Sequence, residues 1–343
     1  MTRMFATAVP GLGPMVGREL GRLPGVVARD SGFDGRSDVV LFEAERGSRS
    51  AVVELGLAED VFVEVGRTVR SHGDRPGWIA GRVWRPECVQ RALSVWAEEV
   101  RPLSGTMTFR VIARVLQERS FLRTELRQQL ARAVQRDRPR WRVEDPAQVE
   151  VWVIEYAAGR FVVGLRLSDQ RMRQHDGRVV EREGALRPTV ARAMVALAGE
   201  PRGVLLDPCC GSGTILGEAL AAGWRVRGLD IDPEAVRAAR RNAPGADVRV
   251  GDARCLEVAD HGVGASVSNL PFGQRYGVQG DPRGWLRSVL GELARVTRPG
   301  GRVVLLHPRL PHPVVPGTLR MRDRVRIRLL GLETTIWVYD RTG

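Results

Sequence analysis

The 343-residue chain contains no lysine, so all 53 of its basic residues are arginine. The absence of a Gly-Lys-Ser/Thr loop argues against a P-loop nucleotide hydrolase. Cysteine is also scarce. The four present, Cys88, Cys209, Cys210 and Cys255, have the spacing of neither a metal site nor a disulfide framework. We therefore expect no bound metal and a reducing, cytoplasmic compartment.

Long hydrophobic runs are missing as well. No stretch approaches the ~18 uninterrupted apolar residues that a membrane span needs. The N-terminus lacks the long apolar core that precedes a cleavage site in a secretory signal. With 43% hydrophobic and 27% charged residues, the composition is typical of a globular protein.

Positive charge is abundant. The net charge is +13 and the isoelectric point is near 11.0, which indicates a polyanionic partner. Residues 1–65 are net acidic, whereas residues 66–187 and 188–343 are both net basic. The two later segments are therefore the expected nucleic-acid-facing parts.

The order of apolar patterns predicts an α/β protein with three parts. Residues 1–65 are typical of a small α+β unit, and residues 66–170 combine amphipathic helices with paired strands. A polar linker follows at 171–187. From 188 to 343 strands and helices alternate, which predicts a parallel sheet covered by helices and closed by an antiparallel hairpin.

The stretch LLDPCCGSGTILGEAL places an acid, a glycine turn and a helix start directly after a strand. Gly211 and Gly213 let the backbone turn tightly and approach a ligand. Thr214 then stands at a helix N-terminus, which favours a carboxylate or phosphate. The alternative is a purely structural turn.

Acidic residues follow the next two strands. Asp230 lies 23 residues after Asp207, where a carboxylate at a strand end accepts hydrogen bonds from ribose hydroxyls. Asp232 precedes a proline and is the expected N-cap of the next helix. Asp252 follows a third strand and is placed to meet an adenine amino group. Capping is the alternative role for Asp230.

Four motifs occur in a fixed order: Asp-Pro-x-x-Gly-Ser-Gly, Gly-x-Asp-x-Asp-Pro, Gly-Asp-Ala and Asn-Leu-Pro-Phe. Together they resemble the Rossmann-fold methyltransferases that use S-adenosylmethionine. The motif Asp-Pro-Cys-Cys-Gly-Ser-Gly, which follows the stretch GALRPTVARAMVALA, is similar to the motif of a narrower group. Members of this group carry an N-terminal THUMP domain and methylate guanine N2 in RNA. The resemblance implies four parts: a ferredoxin-like domain (1–65), a THUMP RNA-binding domain (66–170), a linker (171–187) and a Rossmann-like methyltransferase domain (188–343).

The same resemblance distributes the cofactor roles. It implies contacts to the methionine moiety, the ribose and the adenine, with a further contribution from the segment that precedes the domain. The residues concerned are Asp207, Gly211, Gly213 and Thr214 for the methionine end, Asp230 for the ribose, Asp252 and Ala253 for the adenine, and Thr189 from the preceding segment.

The stretch Asn269–Phe272 is the expected catalytic motif. An exocyclic base amine is a poor nucleophile, because its lone pair is delocalised into the ring. The Asn269 oxygen and a backbone carbonyl held by Leu270 and Pro271 can accept its two N–H bonds, since proline fixes the backbone. Phe272 offers a stacking face for an extruded base, worth roughly 1–3 kcal/mol. Leu270 departs from the commoner Asn-Pro-Pro-aromatic pattern, and an ordinary turn is the alternative reading.

Arginines at helical and strand spacing are the expected RNA contacts. If residues 319–330 form one strand, the five alternating arginines from Arg320 to Arg328 lie on one face. A solvated strand face is the alternative to phosphate binding. The expected contacts are Arg123, Arg127, Arg132 and Arg136 on one helix, Arg171 and Arg173 in the linker, and Arg322, Arg324 and Arg326 in the hairpin.

The sequence thus predicts methyl transfer from S-adenosylmethionine to guanine N2 in tRNA. By resemblance the target is a guanosine of the acceptor stem, at position 6 of the tRNA. Three alternatives stay open: a guanine-N2 methyltransferase of ribosomal RNA, an adenine-N6 methyltransferase of DNA, and a non-catalytic RNA-binding protein.

Overall fold

The structure is a computed structural model, and its residues group into two compact units, Met1–Arg173 and Gln174–Gly343. It describes residues 1–68, 75–116, 121–169, 171–175, 179–180, 182, 184–271, 280–311, 314–329 and 331–343.

The first unit is built on an eight-stranded sheet with the order β2-β3-β1-β4-β8-β7-β5-β6. Its core centres on large apolar side chains, with the rings of Phe5 and Phe62 stacked at 4.6 Å between centroids. The strands are β1 (Thr2–Ala8), β2 (Val26–Phe33), β3 (Asp38–Ala44), β4 (Asp60–Arg67), β5 (Thr108–Arg114), β6 (Arg142–Val143), β7 (Val149–Ala157) and β8 (Arg160–Arg166). The helices are α1 (Gly13–Leu20), α2 (Arg49–Val53), α3 (Pro76–Val83), α4 (Pro86–Glu99), α5 (Arg123–Asp137) and α6 (Arg171–Gln174), the last of which crosses the boundary between the units.

The expected boundary between residues 65 and 66 falls inside β4. This strand pairs with β1 on one side and with β8 on the other, so it joins the two expected segments in one sheet. The division into a ferredoxin-like domain and a THUMP domain stays a prediction.

The second unit is a seven-stranded sheet with the order β11-β10-β9-β12-β13-β15-β14. Strands β9 to β13 pair parallel with one another, whereas β15 pairs antiparallel with both β13 and β14, so that β14 and β15 form the hairpin at one end. The strands are β9 (Val204–Asp207), β10 (Arg225–Asp230), β11 (Asp247–Val250), β12 (Val263–Asn269), β13 (Thr297–His307), β14 (Leu319–Leu329) and β15 (Leu332–Arg341). The helices are α7 (Pro188–Ala198), α8 (Thr214–Ala221), α9 (Pro233–Asn242) and α10 (Pro282–Val296). The predicted α/β class and the closing hairpin are confirmed.

The strand order places a crevice at the carboxyl end of β9. From β9 the chain proceeds outward through β10 and β11 on one side, and through β12 and β13 on the other. At such a switch point the connections diverge and leave a crevice in which open α/β sheets bind ligands.

Among the described residues, no helix is both long enough and apolar enough to cross a lipid bilayer.

Candidate active site

The carboxyl ends of β9 and β12 lie side by side, because the two strands are adjacent and parallel. β9 ends at Asp207 and β12 ends at Asn269. The hydroxyl of Ser268 donates a 2.7 Å hydrogen bond to Oδ1 of Asp207. The expected cofactor acid and the expected catalytic asparagine therefore meet at one edge of the sheet.

Asp207 is almost completely buried, with 1% of its surface exposed. Burial raises the pKa of its carboxyl to about 7, although hydrogen bonds from Ser268 and from the backbone N–H of Cys209 act in the opposite direction. A carboxylate in this position gains strongly from a cationic partner, because such a partner offsets the loss of hydration.

The glycine turn between β9 and α8 has the backbone conformation that the sequence predicts. Gly211 and Gly213 have φ of 51° and 85°, in the left-handed region. A Cβ on Gly213 would lie 3.0 Å from the Cα of Ala239, so the turn packs closely on α9. Thr214 then opens α8, directly after Gly213.

Asp230 shapes this turn from the neighbouring strand. Its Oδ2 accepts a 2.8 Å hydrogen bond from the N–H of Gly211, and its Oδ1 accepts a 3.0 Å bond from the N–H of Asp232. Each carboxylate oxygen keeps a further lone pair for a ribose hydroxyl. Asp232 is the N-cap of α9, as predicted, and accepts from the N–H of Glu234 at 2.8 Å.

Two residues beside these acids had not been assigned a role. Ser268 binds Asp207 through its hydroxyl. The sequence feature that could have identified it is a polar residue within an apolar strand. Ile231 follows Asp230 at the end of β10 and is 69% exposed. A large apolar side chain in that position suits the flat face of a heterocycle.

Asp252 lies beyond β11, where its carboxylate is bound by the side chain of Arg254, with the shortest contact at 2.6 Å. This hydrogen bond lowers the pKa of Asp252, so the group is ionised at neutral pH. Ala253 is buried beside it.

Asn269 carries a notable polar atom. Its side-chain oxygen Oδ1 is buried, yet it accepts no hydrogen bond from the part of the chain that the structure describes. A buried acceptor has lost its hydrogen bonds to water. A ligand that supplies a donor compensates for this loss. Leu270 is 1% exposed and its N–H donates to the carbonyl of Leu306 at 3.3 Å, whereas Pro271 is half-buried. Phe272 lies outside the described residues.

Thr189 is in the first turn of α7 and is 1% exposed. Its hydroxyl oxygen is likewise buried and has no hydrogen-bond partner among the described residues. Its cofactor role stays a prediction.

The four arginines of α5 are exposed, whereas Leu126, Leu130 and Val134 bury the opposite face of the helix. Within the described ranges these arginines form no ion pair with an acidic side chain. Their charge is therefore available to a polyanion. They are Arg123, Arg127, Arg132 and Arg136.

The two linker arginines differ from each other. Arg171 is exposed and lies 3.9 Å from Asp169. Arg173 binds the buried carboxylate of Asp60 through Nε at 3.2 Å and through Nη2. Its charge is neutralised inside the first unit, which disagrees with the free cation expected there.

The expectation that the hairpin arginines share one face is wrong. A bulge between Met321 and Asp323 shifts the register of β14 against β15. Arg324 and Arg326 pair with Trp337 and Thr335 and lie on the same face, and both are exposed.

Arg320, before the bulge, pairs with Asp340 and so lies on the opposite face. Arg322, within the bulge, is bound by Asp340 at 3.0 Å.

The site has one buried thiol to consider, that of Cys210, and the potential metal ligands of the described residues. Burial raises the pKa of the Cys210 thiol far above its ordinary value, so no thiolate forms near neutrality. No cluster of three or more His, Cys, Asp or Glu side chains suited to a metal ion occurs within the described ranges.

The three acidic residues of the site match the hydrogen-bond donors of S-adenosylmethionine. This cofactor carries an ammonium group, two ribose hydroxyls and an adenine amine. Asp207, Asp230 and Asp252 present acceptors for these groups at the ends of three successive strands of the sheet.

Comparisons with known proteins agree with this site. Residues 175–315 match the UPF0020 family, described as "RMKL-like, methyltransferase domain". This segment is similar to an RMKL-like methyltransferase domain. It contains every expected cofactor and catalytic residue.

Two curated relatives match over part of their own length. The tRNA (guanine(10)-N2)-dimethyltransferase of Methanothermobacter thermautotrophicus is 36% identical over 172 residues, which cover 46% of this chain and 50% of that protein. The U6 snRNA (guanine-N(2))-methyltransferase THUMPD2 of Bos taurus is 35% identical over 131 residues, which cover 35% of this chain and 25% of that protein. The chain thus spans half or less of these relatives.

A solved structure is similar over both units. The crystal structure of TrmN from Thermus thermophilus superposes with a TM-score of 0.79 at 24% identity, covering 99% of this chain and 100% of that one. The likeness establishes the fold of the whole chain.

Proposed function

We propose that the protein transfers a methyl group from S-adenosylmethionine to the exocyclic N2 amine of a guanosine in RNA. One observation carries the proposal: the buried Oδ1 of Asn269, which has no hydrogen-bond partner among the described residues, lies at the sheet edge where Asp207 is bound by Ser268. A neutral acceptor beside a cofactor crevice suits an amine that must be held by its N–H bonds.

The asparagine orients the base. Asn269 Oδ1 accepts one N–H of the amine, and a backbone carbonyl of the Leu270–Pro271 segment accepts the other. These two bonds draw the nitrogen toward a geometry with an available lone pair. S-adenosylmethionine, when bound, supplies an electrophilic methyl group on a sulfonium, so placement of the amine is the main requirement.

The acids and the glycine turn hold the cofactor. Asp207 faces its ammonium group, Asp230 its ribose hydroxyls, and Asp252 with Ala253 its adenine. Gly211 and Gly213 allow the backbone of the turn to approach it without a side chain in the way.

RNA is the proposed substrate class, and tRNA is the proposed RNA. The net charge of +13 and the exposed arginines of α5, which form no ion pair with a described acidic side chain, support a polyanion. Both curated relatives named above act on guanine N2 of an RNA, and one of them acts on tRNA. The acceptor-stem guanosine at position 6 rests on the resemblance of the whole sequence to the THUMP-containing group. The four cysteines are unpaired, which fits a cytoplasmic protein.

The test is transfer of a radiolabelled methyl group from S-adenosylmethionine to three acceptors: unmodified tRNA, ribosomal RNA and double-stranded DNA. Nucleoside analysis of the product follows. We expect N2-methylguanosine in tRNA. Label in N6-methyldeoxyadenosine of DNA would replace the proposal with a DNA methyltransferase, and label in none of the acceptors would refute an enzymatic role on these substrates.

A further inference from the structure

One buried amide connects the cofactor turn to the segment that precedes the methyltransferase fold. Asn242 is the last residue of α9 and is 9% exposed. Its Oδ1 accepts hydrogen bonds from the N–H groups of Val179 and Val180, both at 2.8 Å. Its Nδ2 donates to the carbonyl oxygens of Val180 and Ser212, both at 2.9 Å.

All four hydrogen bonds serve backbone groups, so the amide acts as a clamp between two pieces of main chain. Ser212 is the middle residue of the turn between Gly211 and Gly213, and it is 5% exposed. Val179 and Val180 belong to the segment that precedes α7. One planar amide binds both the turn and this segment. A shift of the Ser212 carbonyl therefore moves the Asn242 oxygen and nitrogen that hold Val179 and Val180.

The other end of the same helix repeats the connection. Arg182 Nη2 binds Oδ2 of Asp232 at 2.6 Å, and Asp232 is the N-cap of α9. The N–H of Asp232 is itself bound to Asp230. Val179 and Val180 are therefore bound at the C-terminal end of α9, and Arg182 is bound at its N-terminal end. Ser212 is next to Gly211 and Gly213 in the chain, and Asp232 is hydrogen-bonded to Asp230, so both attachments lie close to expected cofactor contacts.

We propose that Asn242 is a positioning residue that couples cofactor binding to the order of Val179 and Val180. A cofactor that fixes the Gly211–Gly213 turn fixes the Ser212 carbonyl, which orients the amide and strengthens its hold on Val179 and Val180. By linkage, an ordered segment raises cofactor affinity by the same factor. The inference rests on the proposed function, since the ligand of the turn is the proposed cofactor.

The substitution Asn242→Asp breaks the link to the turn and keeps part of the hold on the segment. A carboxylate oxygen still accepts from the N–H groups of Val179 and Val180, but the donor to the carbonyls of Ser212 and Val180 is replaced by an oxygen that repels both. Val236→Ala is the matched control, because Val236 is buried on the same helix and its loss lowers stability without touching the clamp.

The experiment combines calorimetric titration of the full chain with S-adenosylhomocysteine and amide hydrogen exchange resolved at Val179 and Val180. In the wild-type protein the ligand slows exchange at both amides. In Asn242→Asp the ligand binds about tenfold more weakly and no longer changes their exchange. Val236→Ala, at a similar loss of thermal stability, binds within about twofold of wild type.

The outcomes are distinguishable. If the wild-type protein binds S-adenosylhomocysteine but exchange at Val179 and Val180 is unchanged, the coupling is overturned and the proposed function stands. The same holds if Asn242→Asp binds as tightly as wild type. If the wild-type protein does not bind the ligand, the proposed function is lost and this inference with it.

Discussion

The raised pKa of Asp207 predicts that cofactor affinity depends on pH. With a pKa of about 7, Asp207 is about nine-tenths protonated at pH 6 in the ligand-free protein. An ammonium group beside it favours the carboxylate, so binding at pH 6 releases close to one proton. The dissociation constant for S-adenosylhomocysteine is expected to rise about tenfold per unit as the pH falls below 6.

The same pKa sets the stability of the ligand-free fold. The folded value lies above the ordinary 3.8, so burial favours the protonated form and stability falls as the pH rises from about 4 to about 7. From pH 5 to pH 7 the loss is about 1.36 kcal/mol per unit and above the folded pKa it levels off, so between pH 5 and pH 8 this group alone costs about 3 kcal/mol. The side chain in the Asp207→Asn variant cannot ionise. The difference in unfolding free energy between wild type and this variant is therefore expected to change by the same amount between pH 5 and pH 8.

Both effects are measurable on the same samples. Calorimetry in buffers of different ionisation enthalpy gives the number of protons released, and denaturant titrations at pH 5 and pH 8 give the stability difference. A wild-type dissociation constant that is flat between pH 5.5 and pH 7, or a stability difference that does not change with pH, would refute the assignment of the buried acid.

Two further predictions concern the turn and the RNA surface. Gly213→Ala places a side chain at φ of 85° against the backbone of α9, so we expect a loss of roughly 1–2 kcal/mol in stability and undetectable cofactor binding by calorimetry; normal binding would show that the turn does not approach the ligand. Reversing Arg123 and Arg127 to Glu is expected to weaken tRNA binding and to reduce the slope of log affinity against log salt by about 2 in filter-binding assays. The matched reversal of the exposed Arg18 and Arg22, also four residues apart, leaves both unchanged; equal effects of the two pairs would remove the special role of α5.

The second unit was well predicted because its strands and helices have clear periodic patterns. The start of α9 at Pro233 agrees with the sequence prediction, since a proline and an aspartate N-cap fix it. The start of α8 at Thr214 follows from the glycine before it. The residues around Asp207 were predictable for the same reason: a strand, a turn and a helix in succession leave few conformations for the chain.

The missed features depend on contacts between distant parts of the chain. β2 has half of its residues exposed, only one buried, and a bulge, so its sequence does not alternate as a half-buried strand does. The bulge in β14, which moves Arg320 to the other face, has no glycine or proline to mark it. Arg173 finds its partner Asp60 more than a hundred residues away, and Asn242 finds Val180 at a separation of 62. A local sequence pattern cannot predict contacts between residues so far apart in the chain.

The most direct test of the account is the single-turnover rate of methyl transfer by Asn269→Ala, with saturating S-adenosylmethionine and unmodified tRNA. We predict a loss of at least about a hundredfold, as is found when a positioned transition-state group is removed. Affinity for the cofactor and for tRNA is expected to change less than about twofold, since Asn269 contacts only the amine. A variant that transfers methyl groups at the wild-type rate would contradict the claim that the buried oxygen of Asn269 holds the reacting nitrogen.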